Sequence, residues 1–95
     1  MEVVKKPHSC YFGQIRNGER HGVGIMKYTS GRVYEGEWFH DLRDGLGFET
    51  YESGNWYKGQ FKKGKSNGRG HYVWVNGETY EGEWNDGVKE GFGSW

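Results

Sequence analysis

Alanine is absent from this 95-residue chain, leucine and isoleucine occur twice each, and proline and cysteine once each. Leucine, isoleucine, valine and phenylalanine together supply 16 residues, too few for a two-layer core of aliphatic side chains. In a strongly charged chain that shortage would mean disorder. Here 13 basic residues balance 13 acidic ones and 18% of the chain is aromatic. Trp, Tyr and Phe bury large areas per side chain, so the composition predicts an ordered fold held mainly by aromatic packing. A lone Cys10 excludes an intrachain disulfide, and the first six residues hold no apolar stretch of signal-peptide length. A cytoplasmic, reducing location is the simplest fit, with association to the cytoskeleton or the inner face of a membrane open to it. No run approaches the roughly 18 apolar residues of a spanning helix, so any membrane contact is expected to be peripheral. Between Gly13 and Gly93 the longest glycine-free stretch is 37–44, shorter than an average helix of about 11 residues. Interior glycines cost a helix about 1 kcal/mol each, which excludes helix as the main element.

What the chain does have is glycine in one register. All 18 glycines obey a period of 23 residues. Tyr11, Tyr34, Tyr57 and Tyr80 are each followed two positions later by glycine and four positions later by a bulky residue, Ile15, Trp38, Phe61 or Trp84. Paired glycines follow at 22 and 24, 45 and 47, 68 and 70, and 91 and 93, and Gly31, Gly54 and Gly77 mark the turn into the next unit. A fixed period of this length is the signature of stacked supersecondary units. The units run 11–33, 34–56, 57–79 and 80–95, the last incomplete, with residues 1–10 as a partial repeat or arm. Counted back in register, Glu2 to Lys6 takes the place of a second strand, Pro7 to Cys10 that of the returning turn, and Val3 stands where an aromatic is expected.

Strands fit where helices do not. First strands are predicted at Tyr11–Ile15, Tyr34–Trp38, Tyr57–Phe61 and Tyr80–Trp84, and second strands at Val23–Tyr28, Leu46–Tyr51 and Arg69–Val75. Asn17-Gly18, Lys63-Gly64, Asp86-Gly87 and Asn76-Gly77 offer residues that accept positive φ at the bends. The fold class is all-β: an elongated single-layer antiparallel meander of hairpins. Residues two apart share a face, so Tyr, Gly and Trp or Phe of each first strand lie together, with the glycines leaving hollows for rings from adjacent strands. Glu35, Glu37, Lys58, Gln60, Glu81 and Glu83 occupy the other face, which reads as largely polar apart from Ile25, Leu46 and Phe48.

The run Tyr80-Glu81-Gly82-Glu83-Trp84-Asn85-Asp86-Gly87, followed by Gly91 and Gly93, closely resembles the MORN (membrane occupation and recognition nexus) repeat. Near-copies begin at Tyr11, Tyr34 and Tyr57. Ile15 and Phe61 depart from the usual Trp, and Asp41 from the glycine of the first turn, a place where Asp tolerates a left-handed backbone better than most residues. The resemblance implies a sheet of hairpins with a groove on its aromatic face. It also implies a setting in junctional membrane proteins, cilia or cytoskeletal scaffolds, or beside the catalytic domain of a larger enzyme such as a phosphatidylinositol phosphate kinase, with the repeats themselves not catalytic.

No constellation in the chain reads as a catalytic, metal or cofactor site. His8, His21, His40 and His71 are not spaced from one another or from Cys10 as metal ligands usually are. The Gly-x-Gly segments lead into strands rather than into the helix N-terminus a phosphate loop needs. The carboxylate pairs Glu35 with Glu37 and Glu81 with Glu83 sit on a face expected to be solvated, without the perturbed environment of acid–base catalysis.

Charge is patterned by unit: +3 over 11–33 (four basic, one acidic), −5 over 34–56 (one basic, six acidic), +4 over 57–79 (five basic, one acidic) and −3 over 80–95 (one basic, four acidic). Such alternation favours pairing between neighbours. Within it Lys58, Lys62, Lys63, Lys65 and Arg69 form a basic stretch that could meet anionic phospholipid headgroups, while the flanking acidic units oppose nucleic-acid binding. The aromatic face, carrying Tyr34, Trp38, Tyr51, Tyr57, Phe61, Trp74, Tyr80 and Trp84, either covers itself or stays partly open to a partner, since exposed apolar patches mark interaction sites. The leading expectation is a non-enzymatic scaffold binding a protein or peptide through that face or through its sheet ends, where oligomerisation is also possible. The alternatives are a peripheral module for anionic membranes and a targeting segment of a larger enzyme.

Overall fold

The structure, a computed structural model, describes residues 1–94, with side chains through Lys89. Trp95, expected inside the last strand, lies outside the described residues. The chain forms nine strands: β1 (Glu2–Lys6), β2 (Ser9–Arg16), β3 (Glu19–Tyr28), β4 (Val33–Phe39), β5 (Leu42–Thr50), β6 (Trp56–Lys62), β7 (Lys65–Val73), β8 (Thr79–Asn85) and β9 (Val88–Ser94). They pair antiparallel in chain order as one open sheet, the meander that the sequence predicts. The molecule is 39 Å long and 17 Å thick. Eight inter-strand steps of about 4.8 Å span about 38 Å, so a single layer accounts for the whole length.

The second strands start earlier than expected, at Glu19, Leu42 and Lys65. The cause lies in the hairpin turns. Asn17-Gly18, His40-Asp41, Lys63-Gly64 and Asp86-Gly87 all have positive φ at both residues, the two-residue geometry whose twist matches that of the flanking strands, so pairing resumes at once. Asp41 does hold the left-handed conformation (φ 70). At Asn76-Gly77 only the glycine has positive φ; Asn76 instead accepts the Glu78 N–H through Oδ1 at 2.9 Å.

The amino-terminal register also differs from the one obtained by counting back. Lys6 pairs with Ser9 across a two-residue turn at Pro7-His8, so Ser9 and Cys10 belong to β2 rather than to a turn. Pro presets the backbone for the second position of such a turn, and the shortened loop moves the pairing by one residue. Val4, not Val3, therefore faces Tyr11, whereas Met26 faces Tyr34 between the first two units.

From β2 to β9 one glycine of each strand lines up with that of the next: Gly13, Gly24, Gly36, Gly47, Gly59, Gly70, Gly82 and Gly93 form a continuous row across the sheet. The tyrosines lie over this row. An ideal Cβ on Gly47 would stand 2.6 Å from atoms of the Tyr34 ring. Each hydroxyl then donates to the carbonyl three residues on, Tyr11 to Gln14 (2.8 Å), Tyr34 to Glu37 (2.7 Å), Tyr57 to Gln60 (2.8 Å) and Tyr80 to Glu83 (3.1 Å). Trp38 and Trp84 donate their indole N–H to the carbonyls of Gly24 and Gly70.

These rings make one edge-to-face ladder, Tyr11–Trp38–Tyr34–Phe61–Tyr57–Trp84–Tyr80, with centroids 5.0–5.5 Å apart and planes 82–89° across. Each such contact contributes about 0.5–1.5 kcal/mol beyond area burial. Ile15, Tyr28, Tyr51, Tyr72 and Trp74 pack against it. Gly47→Ala is therefore expected to lift Tyr34 and cost about 3 kcal/mol, the upper range for overpacking, with loss of the near-ultraviolet aromatic dichroism. Gly64→Ala, whose added Cβ meets nothing within 4 Å at φ +87, should cost about 1 kcal/mol from backbone strain and leave that signal intact. Unchanged aromatic dichroism in Gly47→Ala would contradict the ladder.

Candidate functional site

Six of the eight aromatic candidates form the core itself. Tyr34, Trp38, Tyr57, Phe61, Tyr80 and Trp84 are between 0% and 8% exposed, so they do not line an accessible groove, because each ring covers the glycine backbone and the edge of the next ring. Tyr51 and Trp74 are half-buried. Burial pushes the phenol pKa values of Tyr34 and Tyr51 up strongly, that of Tyr57 up to about 12, and that of Tyr11 upward.

Two features of the structure escaped sequence reasoning. Met26 and Tyr72, the counterparts of Glu49 in the neighbouring units, point to the core, and Glu49 does likewise although it is charged. It is 2% exposed, and its carboxylate accepts from Arg32 Nε (2.6 Å), from Arg43 Nη1 and from the Tyr51 hydroxyl (3.0 Å). Arg43 also donates to the Gly64 carbonyl and stacks 5.5 Å from the Tyr34 and Phe61 rings. The first unit shows why Glu49 is there. Its counterpart of Arg43 is Arg20, which pairs with Asp41 at 2.5 Å, donates to the Asp41 carbonyl and stacks 4.7 Å from Trp38. That pairing holds the Asp41 carboxyl below the usual carboxylate range, chiefly through the Arg20 hydrogen bond. One unit on, the turn carries Gly64 instead, and Arg43 turns to Glu49. A pattern of alternating residues could not reveal this, since the acid's partners come from the β3–β4 loop, from the far end of its own strand and from the loop after it.

The second feature is a set of side chains placed beside the repeated bulges, where the register shifts after Gly13, Gly36 and Gly59. Gln14, Glu37 and Gln60 each turn Oε1 onto the backbone N–H nine residues on, at Val23 (2.7 Å), Leu46 (2.6 Å) and Arg69 (2.7 Å). Glu37, expected as solvated surface, is thus a structural acceptor for an N–H that the irregular ladder leaves over.

The opposite face carries the open surface. Along it runs a cleft of about 720 Å³, floored by Gly24, Gly36, Gly47 and Gly59 and walled by Phe12, Val23, Ile25, Leu46 and Phe48, with Glu35 and Lys58 among its rim. Leu46 is 63% exposed, Phe12 48% and Val23 46%. Over β2–β5 the face therefore carries a contiguous apolar patch, with Glu35 set among it. The sequence signalled Ile25, Leu46 and Phe48 as interruptions of a polar face; Phe12, which pairs with Ile25, and Val23, two residues before Ile25 on the same strand, complete the patch.

The basic candidates divide by position. Lys62 and Lys65 pair across the β6–β7 turn, with Lys63 inside it, and all three are exposed. Lys58 lies nearer the cleft, and Arg69 makes an ion pair with Glu83 (3.3 Å). The charge alternation is realised between neighbours: Arg20–Asp41, Arg32–Glu49 and Arg69–Glu83 each join a basic unit to the adjacent acidic one. Among the described residues no group of three His, Cys, Asp or Glu is placed to hold a metal ion.

The family model for the MORN repeat matches residues 11–31, 34–56, 57–79 and 80–95, a span that includes the ladder and nearly all of the cleft.

Two outcomes follow from this geometry. Glu49→Met leaves Arg43 without its carboxylate and is expected to cost about 3 kcal/mol, the scale of a broken buried pair. Adding Gly64→Asp rebuilds the Arg20–Asp41 arrangement one unit on, so the double variant should regain about 1 kcal/mol in a double-mutant cycle; additive losses would contradict the assignment. Tyr57 ionises near pH 10 when unfolded and near 12 when folded. Its contribution to stability is whole below pH 10 and is lost as pH rises through 12. The melting temperature should accordingly be flat from pH 7 to 9 and fall between pH 10 and 12.

Proposed function

The chain belongs to the MORN repeat family, whose repeats are modules for interaction or membrane association, and from that premise we propose that it is a non-enzymatic scaffold binding a protein partner. The observation that carries this reading is the cleft opposite the core. The aromatic face is consumed by packing on itself, whereas Phe12, Val23 and Leu46 remain substantially exposed on the other side. Contiguous exposed apolar area rimmed by charge marks protein contacts more often than solvent-facing surface. The partner is a polypeptide segment that presents apolar side chains to this cleft.

Among the described residues the buried acid, Glu49, is tied to Arg32 and Arg43 rather than left free to act as a base. The membrane alternative rests on Lys62, Lys63 and Lys65, gathered at one exposed turn. It is weighed against the cleft by altering each surface separately. Leu46→Asp combined with Phe12→Asp should keep the strand dichroism, because both side chains are already exposed, and should reduce binding of a captured, identified and purified partner at least tenfold. Reversal of Lys62, Lys63 and Lys65 to Glu should leave that binding within about twofold. Salt-sensitive cosedimentation with anionic liposomes that vanishes in the lysine reversal, alongside partner binding indifferent to Leu46→Asp, would overturn the reading in favour of the membrane.

A further inference from the structure

The cleft carries a charge pattern as well as an apolar one, and the pattern has a spacing. Pairing register places Phe12, Ile25, Glu35, Phe48 and Lys58 in one row across β2 to β6. Glu35 and Lys58 are two strands apart in that row, about 10 Å at about 4.8 Å per strand. Neither is engaged by the ion pairs that tie the units together. An acid between Ile25 and Phe48 and a base just past Phe48 ask for opposite charges on whatever covers them.

The floor also constrains the occupant's conformation. Every strand beneath the cleft is an interior strand hydrogen-bonded on both sides, so it offers no free backbone groups to an extended segment, whose own N–H and C=O groups would face apolar walls unpaired. A helix satisfies its backbone internally. Laid across the strands, a helix rises about 1.5 Å per residue, so two residues seven apart are about 10.5 Å apart on the same side, matching the Glu35–Lys58 interval. The glycine row between the walls leaves room for one stripe of its side chains.

Resting on the reading of the cleft as a protein-binding surface, we infer that its occupant is an amphipathic helix of about 13 residues. It lays an apolar stripe along the glycine row, with a basic residue against Glu35 and an acidic residue, seven positions away, against Lys58. The two charges select for a mixed pair, and either helix direction can supply it.

The test uses the whole chain and four synthetic 14-residue helical peptides that share one apolar stripe and differ only at two positions seven apart: Lys with Glu, Lys with Lys, Glu with Glu, and Gln with Gln. Fluorescence anisotropy is the readout. The unaltered protein should bind the Lys–Glu peptide about fivefold more tightly than either like-charged peptide, two surface pairs of ordinary strength. Glu35→Lys should shift the preference to Glu–Glu, and Lys58→Glu to Lys–Lys, with both preferences fading in high salt. All four peptides binding alike in every variant would overturn the charge assignment while leaving the apolar cleft standing. Equal binding of a Lys–Glu peptide broken by central prolines would overturn the helical conformation. Failure of all four to bind at millimolar concentration would overturn the helix inference, whereas the cleft as a partner site stands or falls separately on Leu46→Asp.

Discussion

The placing of tyrosine rings over a row of glycines is the constraint on which the rest of this structure depends. A single-layer sheet has no second layer to cover its apolar face, so its side chains must cover one another and the backbone between them. Only glycine lets a ring come down onto the strand, and only an aromatic ring is broad enough to reach the next ring from there. The phenol hydroxyl then finds a carbonyl on its own strand, which keeps the buried oxygen paired. Because the rings alternate across units, each unit's core is half built by its neighbour: Trp38 fills the space beside both Tyr11 and Tyr34. Stability is accordingly a property of adjacent units together, as in other repeat arrays.

Once one face is committed in this way, the other is released from packing. The glycine row that receives rings on one side leaves a trough on the reverse, and this is where the apolar cleft lies. The same residues thus build the core and shape the surface. The ion pairs follow a similar economy of position. Arg20 and Arg43 occupy equivalent sites at the end of each second-strand entry, yet one is matched by a turn aspartate and the other by a buried glutamate, so two local solutions give one repeating backbone.

Most of the fold was legible because its determinants are periodic. Glycines in one register excluded helix, the Tyr-x-Gly-x-Trp spacing gave the face, and Asn17-Gly18 gave a turn. What was not legible depended on single departures from the period. Pro7 tightened a loop and moved β1 by one residue. Glu49 occupied a position that its counterparts Met26 and Tyr72 fill with apolar side chains, and Gln14, Glu37 and Gln60 were spent on bulges that no alternation shows. Most of the aromatic candidates are core rather than open surface for a physical reason. Large aromatic residues on an uncovered face suggested an open groove, but rings of that size over glycine close the face, and the smaller set Phe12, Val23, Ile25, Leu46 and Phe48 on the reverse is what remains open.

The central claim, that one face is closed by its own rings and the other is open to a partner, is tested most directly by hydroxyl-radical footprinting read by mass spectrometry, on the free protein and with a ligand bound. Phe12, Leu46 and Phe48 should be reactive in the free protein and protected on binding, while Tyr34, Tyr57 and Trp38 stay unreactive in both states. Reactive Tyr34 and Trp38 that become protected when the ligand binds would contradict the account and return the site to the aromatic face.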